Sequence, residues 1–361
     1  MPICPKNRTP ANNQTVTELN LFYPEGHAAH AQHGHPERPE RVEAVRQALE
    51  EAGCWEPFPK LAPLDLDLAF LAQVHQPAYL ALLEASCRRG QSLDGDTYTR
   101  PASWQLALNA AGGAAAVAQA VWQGQARRGF ALTRPPGHHA TAGRGMGFCL
   151  LNNVALAAEY LIRQPTGQAP AASRLAIIDL DLHHGNGTQD IFWERGDVLY
   201  ISTHQSPLYP GTGSLQETGA GSGQGKTANF PLPPMTGDEA FQTIMDGLIL
   251  PLLDRHQPQM LLVSFGFDPH WLDPLGYLNL TAAGYYRLLQ SLVQWADGRC
   301  AGKIALFLEG GYHLDAARAC AQAAVSALLG QSYVDPLGAS PHTDTLVWHT
   351  MFRNARQLWQ L

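Results

Sequence analysis

The chain has 361 residues, of which 45% are hydrophobic and 15% charged, with a net charge of −7 and a pI of about 6.1. That is the composition of a globular protein with ample core; it lacks the Lys/Arg runs of a nucleic-acid footprint and any apolar run of the roughly 18 residues a membrane span needs. The six cysteines have no close-spaced pairs and read as reduced thiols of a cytoplasmic protein.

Residues 1–18, rich in Asn, Thr and Pro, lack the apolar core of a secretory signal and read as a flexible leader. Pro39 suits the first turn of a helix on which Val42, Val45, Leu49 and Ala52 share a face. Residues 103–121 form an Ala-rich helix. Short apolar runs at 130–133, 175–179, 198–202, 260–265 and 304–308 read as buried parallel strands. Helical patterns separate most of them: 153–163, a stretch to about 255 opened by a Thr236-x-x-Glu239 capping box, 282–296 capped by Thr281, and 316–329. This alternation predicts an α/β domain with a parallel sheet covered on both faces, over residues 19–335. Residues 211–225 are a glycine-dense loop that lets backbone approach something closely, without the strand–turn–helix setting of a dinucleotide loop. Residues 336–361 form a C-terminal helical segment on which Trp348, Phe352, Ala355 and Trp359 share a face, packed on the domain or at a homo-oligomer contact.

Every predicted strand runs at once into polar or glycine-rich residues: 134–139, 179–184, 202–204, 266–268 and 309–312. Ligands of open α/β sheets bind outside the carboxyl ends of the strands, so these loops predict one site. Asp181 and His183 are two apart and point the same way from extended backbone. Asp268 completes a set of three ligands, which with one open position is how catalytic zinc is held. A single Asp-x-His would be a polar loop; the concurrence of strand-end clusters predicts a metal hydrolase. Adjacent histidines such as His138 and His139 do not easily serve one metal. Beside a metal, one can act as general base and the other can stabilise charge, with Asp179 and Asn186 as partners for their far nitrogens. Tyr312, in Glu309-Gly310-Gly311-Tyr312, suits an oxyanion donor, a role worth about 2.7–4 kcal/mol. Phe148 and Tyr209 are loop aromatics that could grip an extended aliphatic stem.

The motifs Arg134-Pro-Pro-Gly-His-His-Ala140, Gly147-Phe-Cys149, Asp179-Leu-Asp-Leu-His-His-Gly-Asn186-Gly-Thr-Gln189, Gly266-Phe-Asp268, Asp273-Pro-Leu-Gly276, Leu308-Glu-Gly-Gly-Tyr312 and, near the start, His35-Pro-Glu-Arg-Pro-Glu-Arg41 resemble the zinc-dependent histone deacetylase superfamily. The resemblance is to the class II and bacterial histone-deacetylase-like amidohydrolases. It implies an arginase-like α/β domain around a largely parallel, eight-stranded sheet with helices on both faces. By position it makes Asp181, His183 and Asp268 the zinc ligands, His138 the electrostatic histidine paired with Asp179, His139 the general base and acid beside Asn186, and Tyr312 the oxyanion donor. Phe148, Gly147 and Tyr209 resemble the acyl-lysine tunnel, Asp96 the rim acid that holds substrate backbone, and Arg41 the arginine of the inner acetate channel. A structural potassium ion would draw on Asp179, Asp181, His183, Ser202 and Thr203, and a second on Phe192, Arg195 and Val198. Asn186 replaces the Asp of class I members, Tyr209 replaces a more common Phe, and Leu275 stands where polyamine-selective relatives carry Glu. The implied reaction releases acetate from acetylated lysine side chains or small acetylated amines (acetylpolyamines or N-acetylindoleamines). Two remoter alternatives are a binuclear manganese ureohydrolase, which would want a second carboxylate-rich metal site, and a non-enzymatic acyl-lysine binder, which would lack a ligand, a His or the Tyr.

Overall fold

The computed structural model describes residues 16–163 and 169–361. The expected leader therefore lies outside the described residues up to residue 15, and a strand begins at Thr17. Among the described residues the sheet has seven strands, not eight: β1 (Thr17–Phe22), β2 (Ala126–Ala131), β3 (Leu175–Asp179), β4 (Val198–Gln205), β5 (Thr227–Leu232), β6 (Leu261–Phe265) and β7 (Ile304–Leu308). All pairs are parallel, in the order β1-β2-β7-β6-β3-β4-β5.

The apolar runs are buried on both faces because alternate residues serve opposite layers. On β3, Ala176 and Ile178 join one core, with the helices Glu40–Glu51, Ala282–Arg299 and Leu314–Leu328. Leu175 and Ile177 join the other, with the helices Pro77–Arg89, Ser103–Trp122 and Asn153–Arg163. Burial of this kind contributes roughly 25 cal/mol per Å² of apolar surface removed from water. Cys87, Cys149, Cys300 and Cys320 are buried free thiols.

Thr281 caps its helix as its position predicts, accepting from the Gly284 N–H at 2.9 Å. The capping box at Thr236 does not form. The Thr236 hydroxyl donates to the Pro233 carbonyl, and the helix starts at Asp238 behind an uncapped Gly237. That helix is also broken: Asp238–Ile244 passes through a wide π turn, Met245–Ile249, into Leu250–His256. Pro251, which has no N–H to give an α-helical bond, lies just past the break.

The C-terminal helix Trp348–Trp359 buries Trp348, Ala355 and Trp359 against its own domain, with Phe352 lying over Gly247. Its end is tied down by Arg255, which donates to the Trp359 carbonyl at 2.9 Å. No helix of the described residues is long and apolar enough to cross a membrane.

Candidate active site

The parallel sheet brings the carboxyl ends of β2, β3, β4, β6 and β7 to one edge, and the predicted residues converge there. The donor atoms of Asp181, His183 and Asp268 lie within 4.8 Å of one another. His183 Nδ1 is 3.3 Å from Asp181 and 3.1 Å from Asp268. Backbone fixes the carboxylates from behind: Gly310 N–H donates to Asp181 at 2.8 Å and Leu182 N–H to Asp268 at 3.2 Å. The cradle requires two glycines. A Cβ on Gly266 would lie 2.0 Å from Asp181 Oδ2, and one on Gly310 would lie 2.3 Å from Asp268 Oδ2.

The two carboxylates differ in their electrostatics, and against its burial both pull the His183 imidazole up to about 9. Burial and then the neighbouring Asp181 push the Asp268 carboxyl up to about 7. Asp181 is held below the usual carboxylate range, because His138 and His183 outweigh the burial that would raise it. Two buried carboxylates and one imidazole, preformed with their donor atoms converging, are a donor set that fits a divalent cation.

The two histidines differ. His138 Nδ1 is 3.1 Å from Asp179 Oδ2, and its Nε2 is 3.7 Å from Asp181. Burial alone would lower the His138 pKa, but Asp181 and Asp179 raise it well above the ordinary value. His139 Nδ1 lies 2.8 Å from the Asn186 Oδ1. An amide oxygen only accepts, so Nδ1 carries the hydrogen and Nε2 is left as a base. Burial, then His138 and His183, hold the His139 pKa well below its usual value, so this base is neutral.

A cavity of about 220 Å³ opens over this cluster, lined by Asp96, Phe148, Tyr209, Leu275 and Tyr312 together with His139 and His183. Gly147 also lines it, and a Cβ there would strike the His139 ring at 2.4 Å. Phe148 takes a left-handed φ of 69°, a strain of order 1–3 kcal/mol, and its ring meets that of Tyr312 at 5.9 Å. The Tyr209 ring meets His139 at 5.2 Å on the other side. Burial pushes the Tyr312 hydroxyl well above its ordinary pKa, so it is a proton donor. Arg41 is fully buried behind it, with its guanidinium 4.7 Å from the Tyr312 ring centre and bonded to the Glu309 and Gly311 carbonyls.

The remaining predicted residues sit under or beside this cluster. The β3–β4 register sets Ser202 opposite Asp179, and the Thr203 hydroxyl reaches the Asp179 carbonyl at 3.5 Å. Phe192, Arg195 and Val198 lie one layer out, where the Phe192 carbonyl already accepts from the Arg195 N–H at 3.0 Å.

Three buried carboxylates were not singled out from the sequence. Glu309 accepts from the Gly137 and His138 N–H groups at 2.7 and 3.1 Å and from Ser264 at 3.0 Å, fixing the loop that carries both histidines. Asp273 accepts from the Tyr312 and His313 N–H groups at 2.6 and 3.2 Å. Glu37 pairs with Arg41 and Arg134 at 3.1 and 2.7 Å. The available signal was an acid inside each motif, at a place where nearby backbone or arginine needed a partner.

A model of the histone deacetylase domain matches residues 35–328. A probable deacetylase of Archaeoglobus fulgidus is 43% identical over 257 residues, 71% of this chain and 70% of that protein. Histone deacetylase 14, chloroplastic, of Arabidopsis thaliana is 40% identical over 273 residues, 72% of this chain and 63% of that protein. A histone deacetylase-like amidohydrolase of Pseudomonas aeruginosa is 35% identical over 271 residues, 74% of this chain and 70% of that protein. The crystal structure of the HDA15 HD domain superposes with a TM-score of 0.85 at 32% identity, covering 96% of this chain and 95% of that one.

Proposed function

The chain belongs to the histone deacetylase family, hydrolases of amide bonds, and we propose that it removes acetyl groups from acetyl-lysine side chains at a single zinc centre on Asp181, His183 and Asp268. One observation carries this reading: a buried three-donor cluster, a neutral histidine base and a tyrosine hydroxyl face one narrow cavity with aromatic walls. Two carboxylates and an imidazole with an open position suit zinc, and the bound ion supplies Lewis acidity toward the acyl carbonyl and the attacking water.

The chain's own residues do the rest. His139 Nε2 takes the water proton and delivers it to the departing amine, help worth roughly 10²–10⁴-fold. Asn186 keeps that nitrogen free by holding the hydrogen on Nδ1. His138, held by Asp179, adds a donor beside the reacting carbonyl. Tyr312 donates to the oxygen on which negative charge develops, and Arg41 behind its ring opposes the rise in its pKa. Phe148 and Tyr209 flank the aliphatic stem, Asp96 at the rim accepts from substrate backbone N–H groups, and Leu275 closes the wall without a second carboxylate. A structural potassium ion would take oxygens from Asp179, Asp181, His183, Ser202 and Thr203, and a second would sit at Phe192, Arg195 and Val198. A binuclear centre gains little support: the other close donor group, His138, Cys149 and Glu309, has its glutamate committed to Gly137, His138 and Ser264.

The test is turnover of an acetyl-lysine peptide, an acetylpolyamine and an N-acetylindoleamine side by side, with metal analysis of the same sample. The highest kcat/KM on the peptide with one zinc per chain is expected. Turnover confined to a small amine would overturn the substrate, and two metals per chain would overturn the single centre.

A further inference from the structure

Beside the reaction cavity lies a second hollow, of about 600 Å³. One bank is the loop 206–217, which also carries Tyr209; the other is the start of the C-terminal helix. Leu208 lines both the cavity and this groove, so the two share a wall. The groove's lining is mixed: Pro207, Leu208, Leu215, Pro231 and Pro233, faced by Val347 and Met351, make its apolar part, and neutral polar side chains such as Thr212, Gln216 and Asn354 lie between them. Val347 is 66% exposed, while Trp348 and Trp359 on the same helix are 4% and 7% exposed. The helix thus spends its aromatic face on the domain and leaves Val347 and Met351, beside Thr350 and Asn354, toward the groove. The sole charged lining residue, Glu217, is already engaged, accepting from Gln189 at 2.6 Å and from the Ser214 N–H at 3.2 Å.

The facing loop is preformed. Thr212 bonds His184 at 2.8 Å and the Gly213 carbonyl bonds His204 at 3.0 Å, both buried histidines beneath the loop. The helix that makes the second bank lies beyond residues 35–328, the part that matches the family domain. A cavity of about 220 Å³ admits a side chain and not a polypeptide. A chain whose lysine enters it must rest its flanks on the surroundings of the mouth, which the loop 206–217 shares with the groove.

We propose that this groove binds an apolar side chain of the substrate polypeptide at a position flanking the acyl-lysine, and that the C-terminal helix is thereby a specificity element. The proposal rests on the acetyl-lysine reading above. Its chemistry is burial of apolar surface against the proline, leucine, valine and methionine side chains of the groove.

The experiment compares acetyl-lysine peptides that carry Leu or Ser at the flanking positions, on the full chain and on the double variant Val347→Asp/Thr350→Asp. Both positions are exposed at the helix N-terminus, where carboxylates are favourable, so the variant keeps its fold, and its thermal midpoint checks this. The unaltered chain should show a KM roughly tenfold lower for the Leu peptide. The variant should lose that difference, with kcat and turnover of a short N-acetylated diamine unchanged. Peptide turnover without a Leu preference, or a preference that survives in the folded variant, overturns the groove and leaves the acetyl-lysine reading standing. Hydrolysis of the diamine with no turnover of any peptide overturns both.

Discussion

Replacing Glu37 by Gln tests whether the buried arginines behind the site depend on one charge. Glu37 is fully buried; Arg134 reaches it at 2.7 and 3.0 Å, Arg41 at 3.1 Å and the Tyr98 hydroxyl at 3.1 Å. Burial alone would raise its carboxyl, but Arg134 and then Arg41 outweigh that and bring it from an ordinary 4.5 down to about 2. A folded pKa below the unfolded one gives stability that is fully present above pH 4.5 and is lost as pH falls toward 2. At 1.36 kcal/mol per pH unit, the difference contributes on the order of 3 kcal/mol at neutral pH. Glu37→Gln keeps the shape, removes the charge, and leaves two buried guanidinium groups uncompensated, a defect worth about 3–5 kcal/mol. Denaturant unfolding followed by near-UV circular dichroism at pH 7 should show that loss, and the variant's stability should fall less steeply than the parent's between pH 4.5 and 2. Because Arg41 also holds the Glu309 and Gly311 carbonyls, kcat should drop in the fraction that stays folded. A stability loss under about 1 kcal/mol with an unchanged acid limb would refute the reasoning.

Asp268→Ala should abolish activity and most bound metal, read by elemental analysis of the dialysed protein; full metal occupancy would show the ligand assignment to be wrong. Gly310→Ala puts a Cβ 2.3 Å from Asp268 Oδ2 and 2.7 Å from Asp181 Oδ2, so metal affinity should fall by at least tenfold with both ligands still present, measured by competition with a chelator. His139→Ala and Tyr312→Phe should depress kcat by roughly 10²-fold or more with modest change in KM, and a rise in KM alone would reassign them to substrate binding. Glu309→Ala strands the Gly137 and His138 N–H groups at about 1–3 kcal/mol each and should lower both the unfolding midpoint and kcat.

Strand legibility followed how completely each strand is buried. β3 and β7 match the predicted runs 175–179 and 304–308 residue for residue, because a strand buried on both faces reads as an unbroken apolar run. β1 carries Glu18 and Asn20 among its apolar residues, so it did not stand out as a strand, and its first two residues, Thr17 and Glu18, read as the end of the leader. β5, Thr-Ala-Asn-Phe-Pro-Leu, is an edge strand, where Pro231 can forgo a ladder bond. Thr236 shows the limit of local motifs: its hydroxyl found the nearby Pro233 carbonyl, and the helix began two residues later.

Within the site, the legible residues were those whose role is set by spacing along one strand end. Asp181 and His183 point together from neighbouring positions, and the Asp179 and Asn186 partners of the two histidines lie in the same short segment. The illegible ones act across the sheet. Glu309 leaves β7 to accept N–H groups from the loop after β2, and Asp273 reaches forward from the loop after β6 to the backbone of Tyr312. A backbone N–H has no sequence signature, so an acid that serves one looks like any polar loop residue until the strands are ordered. The order β2-β7-β6-β3 supplies what the motifs lack. It sets the loop of His138 and His139 and the loop of Asp181 and His183 on either side of β7 and β6, whose ends contribute a tyrosine, an aspartate and two glycines small enough for the carboxylates to meet. The unequal behaviour of Asp181 and Asp268 is a consequence of that convergence: each acid is unremarkable on its own strand, and only where the sheet brings them together do burial and Asp181 push Asp268 up to about 7 while His138 and His183 hold Asp181 down.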